Sequence, residues 1–205
     1  MVHGPRKITS SSWAFLAVGL IFLANILLVT FFSNAVNLTD GKDGLAAGCT
    51  IFCVLSFAAV AYVHGHTVFA KYLSVPYIPE LGEISVFASA MAGACIGFLW
   101  YNCKPAAVFM GDTGSLPLGG SIGLIAVLMG QQFLLIVIGF VFLMEGVSVM
   151  IQVASFRLTG RRVFLCTPIH HHFEQKGWSE TQIVIRFWII AGICALIGLA
   201  TLKLR

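Results

Sequence analysis

Six apolar stretches, each close to the roughly 20 residues that an α-helix needs to cross a bilayer, constrain this fold more than any other feature. Within a bilayer, backbone polar groups must be satisfied inside the protein, so long apolar segments fold as helices. We therefore predict an all-α, polytopic integral membrane protein, a single transmembrane domain over residues 1–205 with its polar site at helix ends. The predicted spans are 13–33, 45–63, 84–101, 116–130, 132–155 and 183–203.

Composition agrees with a membrane protein and excludes other classes. Hydrophobic residues make up 59% of the chain and charged residues only 10%, whereas soluble domains carry roughly a quarter charged residues. Mean hydropathy is +0.95. The net charge of +4 is concentrated in a few connections, and no nucleic-acid-binding motif is present, so the expected partner is the lipid bilayer. The six cysteines fall mostly in apolar segments without a CxxC pair, and we expect free thiols.

Charge predicts the orientation. With six spans, the connections 34–44, 102–115 and 156–182 lie on one side, and they hold most of the polar residues. The positive-inside rule places this side in the cytoplasm. Arg6 and Lys7 disagree, because this topology leaves them on the outer side; further helices before residue 1 would remove the conflict. The cations on the predicted cytoplasmic side are Lys42, Lys104, Arg157, Arg161, Arg162 and Lys176.

The second of these connections contains Asp112, one of three aspartates in the chain. Gly111 and Gly114 allow a tight turn around it, and Ser115 and Pro117 are typical of the first residues of a new helix. A carboxylate beside free helix N-terminal amides suits a metal-bound phosphate. The alternative is that Asp112 only caps the following helix, since Asp is a preferred N-cap.

The first connection carries amide or carboxylate side chains at every third position, namely Asn34, Asn37, Asp40 and Asp43. This spacing puts Asn34 and Asn37 on one face of the last helical turn, and Asp43 could cap the next helix. Such groups can bind sugar hydroxyls, a pyrimidine edge or the water shell of a metal. The alternative is a helix–turn–helix connection that uses good cap and turn residues.

Three consecutive histidines, His170, His171 and His172, mark the third connection. Neighbours on a helix point about 100° apart, so the three cannot all face one metal, and the preceding Pro168 favours an irregular segment. They are better suited to donate hydrogen bonds to phosphate than to bind zinc. The arginines of this connection either contact phosphate or only fix the topology.

Two polar residues fall inside predicted spans. Glu145 lies near the middle of the fifth span, where an ionisable group is costly and indicates either a functional role or a structural hydrogen bond to a neighbouring helix. Asn25, in the first span, could form an interhelical hydrogen bond.

Three motifs carry a resemblance to a known family. The strings NAVNLTDGKDGLA (34–46), FMGDTGSL (109–116) and PIHHHFE (168–174), with KGW (176–178), closely resemble the phospho-N-acetylmuramoyl-pentapeptide transferase family. That family belongs to glycosyltransferase 4, the polyprenyl-phosphate sugar-1-phosphate transferases. The resemblance extends over essentially the whole chain.

The resemblance implies a magnesium-dependent enzyme of the bacterial inner membrane with a cytoplasmic active face. It would transfer phospho-N-acetylmuramoyl-pentapeptide from UDP-MurNAc-pentapeptide to undecaprenyl phosphate, giving UMP and lipid I for peptidoglycan synthesis, and so would serve cell-wall biogenesis, cell shape and division. The implied roles are Asp112 as magnesium ligand, Asp112, Asp40 and Asp43 as catalytic residues, and Asn37, Asn102, Phe109, His170, His171 and His172 as substrate-binding residues.

The chain also departs from the family. Members typically have about ten transmembrane helices and, in an earlier connection, an Asp-Asp-x-x-Lys motif, and this chain has neither. It looks like the C-terminal portion of such an enzyme. One alternative is a transferase that works together with a missing N-terminal half or as a homodimer. The other is a truncated, inactive or binding-only remnant of the enzyme. A small transporter is a weaker alternative, because the polar residues crowd one side and not the bilayer midplane.

Overall fold

The computed structural model describes residues 10–203, and side-chain environments over 13–203. This part contains nine α-helices, one short 3-10 turn at Thr201–Lys203 and no strand, which confirms the all-α prediction. The helices are α1 (Ser10–Thr39), α2 (Leu45–Gly65), α3 (Thr67–Leu73), α4 (Leu81–Asn102), α5 (Asp112–Leu128), α6 (Gln132–Ile138), α7 (Phe140–Thr159), α8 (Ile169–Gln175) and α9 (Glu180–Ala200).

Five helices in the described part are long and apolar enough to cross a membrane, namely α1, α2, α4, α7 and α9. This confirms a polytopic membrane protein. The predicted fourth span corresponds to α5, which has 17 residues and extends about 26 Å at 1.5 Å per residue, slightly less than a hydrocarbon core of about 30 Å.

The prediction of one continuous span over 132–155 is wrong, because the helix is interrupted at Gly139. A Cβ at this glycine would lie 2.7 Å from a ring carbon of Phe32 and 2.8 Å from the carbonyl oxygen of Leu135. The close approach of the α1 ring therefore requires glycine here, and α6 and α7 meet at this point. Two helices, α6 and α7, replace the predicted single span.

Close backbone packing joins α1 to α5. A Cβ at Gly119 would lie 2.3 Å from the carbonyl oxygen of Phe32, and one at Gly123 would lie 2.9 Å from the Cα of Val29. Small residues of this kind let transmembrane helices approach closely. The contact fixes the end of α1 beside the start of α5, where Asn37 and Asp112 lie.

The central helix is α2, which packs against α4 and α9 and contributes many buried apolar residues to the core. Asn25 accepts a hydrogen bond of 3.2 Å from Nε2 of Gln132, which confirms its interhelical role. All six cysteines are free thiols, as expected. Arg6 and Lys7, which conflict with the predicted orientation, lie outside the described residues.

Candidate functional site

The three polar connections meet at one end of the helix bundle, as their shared side predicts. Lys42 Nζ lies 2.6 Å from Glu174 Oε1, which joins the first connection to the third. Asp43 Oδ2 accepts a hydrogen bond of 3.1 Å from the backbone N–H of Ala106, which joins the first connection to the second. Residues more than 60 positions apart in sequence therefore form one polar surface.

Asp112 is the first residue of α5, directly after Gly111 with φ 62° and ψ −178°. The prediction that α5 begins near Ser115 and Pro117 is therefore wrong, and Pro117 lies inside the helix. The N-cap residue is Gly111 and not Asp112, so the interpretation of Asp112 as only a helix cap is also wrong. Its Oδ1 instead accepts a hydrogen bond of 2.7 Å from Asn37 Nδ2.

Asn37 binds two oxygen atoms of α5. Besides the bond to Asp112, its Nδ2 donates to Ser115 Oγ at 2.9 Å. The amide nitrogen of Asn37 must face these two acceptors, because the amide oxygen in its place would face the Asp112 carboxylate. Asn34, predicted on the same face, is exposed and donates to the carbonyl of Thr30 in its own helix. Asn37 alone of the two therefore orients Asp112.

Asp40 lies directly after α1, close to the second connection. Burial raises the pKa of its carboxyl group to about 6; a backbone hydrogen bond at Gly111 lowers this pKa, and the negative charge of Asp112 raises it. Asp40 and Asp112 are thus near enough for each carboxylate to sense the charge of the other. A cation between them would relieve this repulsion.

Asp43 does not cap α2, contrary to the sequence-based suggestion. The N-cap is Gly44, with φ 76° and no side-chain capping bond. The Asp43 carboxylate reaches Ala106 instead, and its backbone N–H faces Glu180 Oε1 at 3.4 Å. Glu180 also forms an ion pair with Lys104. Asp43 is therefore part of a contact between the first two connections and the start of α9.

Asn102 and Phe109 have different environments. Asn102 is buried, with Oδ1 accepting from the N–H of Gly44 at 3.0 Å and Nδ2 donating to the carbonyl of Val108 at 2.8 Å. Phe109 is 75% exposed, so its ring face is open to a ligand. Both line a cleft of about 240 Å³, together with Asp40, Gly41, Lys42, Asp43, Met110 and Gly111.

The donor set at this end fits magnesium shared with a phosphate ligand. Among residues 13–203, no three His, Cys, Asp or Glu side chains are arranged to hold a metal by themselves. Magnesium usually takes only one or two carboxylates and fills its octahedron with waters and phosphate oxygens. Asp112 is exposed and uses one oxygen for Asn37, while Asp40 provides a second nearby carboxylate.

The three histidines lie on the short helix α8, so the predicted irregular segment is wrong. Pro168 occupies the N-cap position, where its ring restricts the preceding residue and not the helix that follows. The ring centroids of His170 and His171 lie 4.2 Å apart, at an interplanar angle of 49°. His170 is fully buried and its Nδ1 lies 3.1 Å from Glu145 Oε2. Its predicted role as a substrate donor stays a prediction, as do those of the other two.

His171 and His172 lie nearer the surface. His171 Nδ1 is 3.0 Å from Glu174 Oε2, and hydrogen bonds from Lys42 and then His171 lower the pKa of Glu174 to about 2. His172 Nδ1 accepts from the backbone N–H of Leu165 at 3.1 Å, which indicates that its Nε2 carries the proton. That Nε2–H group is the donor available for a ligand.

Sequence reasoning missed several residues that organise this end. Gln152 of α7 accepts from the N–H groups of Val163 and Phe164 and donates to the carbonyl of Phe164, which orders the chain after α7. The only sign of this role in the sequence was a polar amide side chain within an otherwise apolar helix. The ion pair of Lys104 and Glu180 had no signal beyond opposite charge, because the partners are 76 residues apart.

Comparison with known proteins agrees with the motifs. A family model described as glycosyl transferase family 4 matches residues 4–130. The chain is 55% identical over 180 residues to a phospho-N-acetylmuramoyl-pentapeptide-transferase of Methylacidiphilum infernorum (isolate V4), covering 88% of this chain and 49% of the relative. Identity to the protein of the same name from Pelagibacter ubique (strain HTCC1062) is 56% over 181 residues, covering 88% and 50%.

A third relative of that name, from Neisseria gonorrhoeae (strain NCCP11945), is 52% identical over 188 residues, which cover 92% of this chain and 52% of the relative. The chain thus spans about half the length of the curated relatives that it matches. The family match covers more than half of the chain and includes Asn37, Asp40, Asp43, Asn102 and Asp112. The chain therefore belongs to glycosyl transferase family 4.

Proposed function

We propose that this chain carries the nucleotide- and metal-binding part of a phospho-N-acetylmuramoyl-pentapeptide transferase. The reaction transfers phospho-MurNAc-pentapeptide from its UDP carrier to undecaprenyl phosphate, so that a phosphate oxygen of the lipid attacks the sugar-linked phosphorus, UMP leaves, and lipid I forms. The observation that carries this proposal is the hydrogen bond from Asn37 to Asp112, which presents an oriented carboxylate beside Asp40 at the bundle end. The names of three relatives support the reaction.

The chemistry needs charge compensation more than a covalent catalyst. Two phosphorylated substrates bring several negative charges together, and positioning with electrostatic stabilisation supplies most of the catalysis in phosphoryl transfer. Magnesium, when bound, neutralises the phosphate charge, and Asp112 would hold it. Asn37 keeps Asp112 oriented, while Asp40 and Asp43 fix the adjoining turn and add polar contacts.

The cleft beside Phe109 suits the nucleotide. Its volume of about 240 Å³ is below the roughly 300–1,000 Å³ of sites that enclose a whole drug-sized ligand, so it suits the base and not the complete sugar nucleotide. The exposed ring of Phe109 can stack on uracil. Asn102 then acts by shaping the cleft wall, because both ends of its amide bind backbone groups.

The location at helix ends suits the two substrates. A lipid phosphate lies at the depth of the membrane surface, whereas the sugar nucleotide arrives from water. We therefore assign the polar end to the cytoplasmic face of the bacterial inner membrane, in agreement with its basic residues. The donors for the pyrophosphate are His171 and His172, which are partly exposed.

One experiment separates transfer from binding alone. The chain is purified in detergent with magnesium, both by itself and after co-expression with the N-terminal half of a curated relative, and UMP and lipid I are measured. We expect UDP-MurNAc-pentapeptide to bind in both samples but turnover only after co-expression, since the three aspartates include no adjacent acidic pair. Binding without turnover in both would favour the remnant; no uridine-dependent binding in either would refute the proposal.

The matched variants are Asp112→Asn and Glu83→Gln. Asp112→Asn should lower turnover by roughly 10²–10³, as does the loss of other preorganised electrostatic groups, with little change in helix stability. Glu83 is an exposed carboxylate in the first turn of α4, at the opposite end of the bundle. Its substitution should leave turnover unchanged, and equal effects of both variants would contradict the site assignment.

A further inference from the structure

A fully buried acid–base pair lies beneath the site. The side chains of Glu145 in α7 and His170 in α8 are both 0% exposed, and Glu145 Oε2 lies 3.1 Å from His170 Nδ1. A buried ionisable pair persists only when its geometry is good, since removal from water is costly. The pair fixes the orientation of the His170 ring between two helices.

The other edge of the same ring contacts the first connection. His170 Nε2 is buried and has no hydrogen-bond partner among the described residues. It points at Gly41, where a Cβ would lie 2.7 Å from Nε2 and 3.0 Å from Cε1. Gly41 is the residue between Asp40 and Lys42, so the ring touches the turn that carries the acidic groups of the site.

We propose that Glu145 and His170 are positioning residues, which hold the turn at Gly41 and thereby place Asp40 and Asp43 against the second connection. The effect of this positioning on catalysis rests on the proposed function, whereas its effect on the turn at Gly41 does not. Glu145 acts through the ring of His170, and neither residue needs to touch substrate. The contact of the His170 ring with Gly41 transmits the position of α8 to the turn.

The turn at Gly41 is held from two sides. The Gly41 turn is tied by Asp43 to Ala106 and by Gly44 N–H to the Asn102 side chain. These hydrogen bonds hold the turn against the second connection, whereas the His170 ring supports it from α8. Without the ring, the turn loses a wall that is within van der Waals contact, and its hydrogen-bonded amides open more often.

Three substitutions separate the ring contact from the pairing with Glu145. His170→Asn retains a donor near the position of Nδ1 but removes Nε2 and Cε1; His170→Gln places its amide farther out and loses the bond to Glu145. Glu145→Gln keeps an acceptor at the same place. We expect His170→Asn, which removes the ring contact, and His170→Gln, which loses the bond to Glu145, each to speed hydrogen exchange at the amides of Gly44 and Leu45 by roughly tenfold or more. Glu145→Gln should have a smaller effect.

Gly41→Ala and His170→Asn together form the decisive double-mutant cycle. The backbone conformation of Gly41 is outside the left-handed region, so alanine meets only the His170 ring. We expect Gly41→Ala to accelerate exchange in the otherwise unchanged chain and to have little further effect in the His170→Asn background, where the clashing atoms are gone. An equal effect of Gly41→Ala in both backgrounds would overturn the proposal.

Binding of UMP, measured by calorimetry, links the turn to the proposed function. His170→Gln should weaken UMP binding at least about threefold, whereas the control Glu83→Gln, at the opposite end of the bundle, should leave UMP binding unchanged. If the unchanged chain does not bind UMP, the proposed function fails while the exchange cycle still tests the positioning role. If UMP binds normally but exchange at Gly44 and Leu45 is unchanged in every variant, the positioning role fails alone.

Discussion

Replacing Asn37 by aspartate should convert an oriented carboxylate into a repelling pair. Asn37 Nδ2 lies 2.7 Å from Asp112 Oδ1 and 2.9 Å from Ser115 Oγ. Asn37→Asp keeps nearly the same shape but puts a second carboxylate in contact with Asp112. The substitution therefore changes charge and donor capacity while it leaves the packing of α1 against α5 intact.

The size of the expected pKa shift follows from the distance between the two carboxylates. Two unit charges about 4 Å apart repel by about 1 kcal/mol in bulk water and about 4 kcal/mol at the effective dielectric constant near a protein surface. At about 1.4 kcal/mol per pKa unit, the pair should retain one proton to a pH that is about 1 to 3 units above the ordinary value of a carboxyl group. Asn37→Ala, in contrast, removes a hydrogen bond to a charged group, worth about 1.5–3 kcal/mol, without adding charge.

The assay is the pH profile of UMP release by the co-expressed halves, combined with infrared spectra of the chain labelled with ¹³C-aspartate. All variants are compared in the Asp40→Asn background, because the pKa of Asp40 is itself raised to about 6. In Asn37→Asp, the acid limb of the profile should move to higher pH and a protonated carboxyl band should persist near neutrality. Asn37→Ala should lower the rate without moving the limb, and Ser115→Ala, which keeps the bond to Asp112, should do neither. A protonated band in Asn37→Asp that disappears at the same pH as in the unchanged chain would refute the contact between residues 37 and 112.

Three further predictions test other contacts. Lys42→Met and Glu174→Gln should show a coupling of about 0.2–1 kcal/mol in a double-mutant cycle of unfolding; because the folded pKa of Glu174 is lowered to about 2, this stabilisation is complete above about pH 4.5 and is lost as the pH falls towards 2. Gly119→Leu should lower the melting temperature, since overpacking costs about 1–3 kcal/mol or more where a Cβ would lie 2.3 Å from a carbonyl oxygen of α1; an unchanged melting temperature would contradict that packing. A membrane-impermeant thiol reagent added from the cytoplasm should label Cys103, which is exposed, but not a cysteine at Lys71, and the reverse pattern would invert the topology.

The sequence predicted the helices better than their ends. Hydropathy located each membrane segment because burial in lipid requires long apolar runs. It could not locate the interruption at Gly139, which depends on the approach of the Phe32 ring from another helix. The start of α5 at Asp112 was also missed, since Ser115 and Pro117 resemble initiating residues and the true first turn depends on the conformation of Gly111.

The candidate site was predicted unevenly for a related reason. Motif and charge pattern brought together Asp40, Asp43 and Asp112, because membrane topology places alternate connections on one side. The orientation of buried groups was not predictable. His170 has the same local sequence environment as His171, and its inward position follows from the location of Glu145 on a separate helix.

The regular spacing of Asn37, Asp40 and Asp43 acquires a structural reason from their partners. Asn37 reaches Asp112, Asp40 is hydrogen-bonded at the backbone of Gly111, and Asp43 reaches Ala106. As residue numbers rise in the first connection, the numbers of their partners fall in the second. The two connections therefore run antiparallel and are joined by polar side chains at three points. An insertion or deletion between any two of these points would shift one contact relative to the others, so the arrangement constrains loop length as well as residue type.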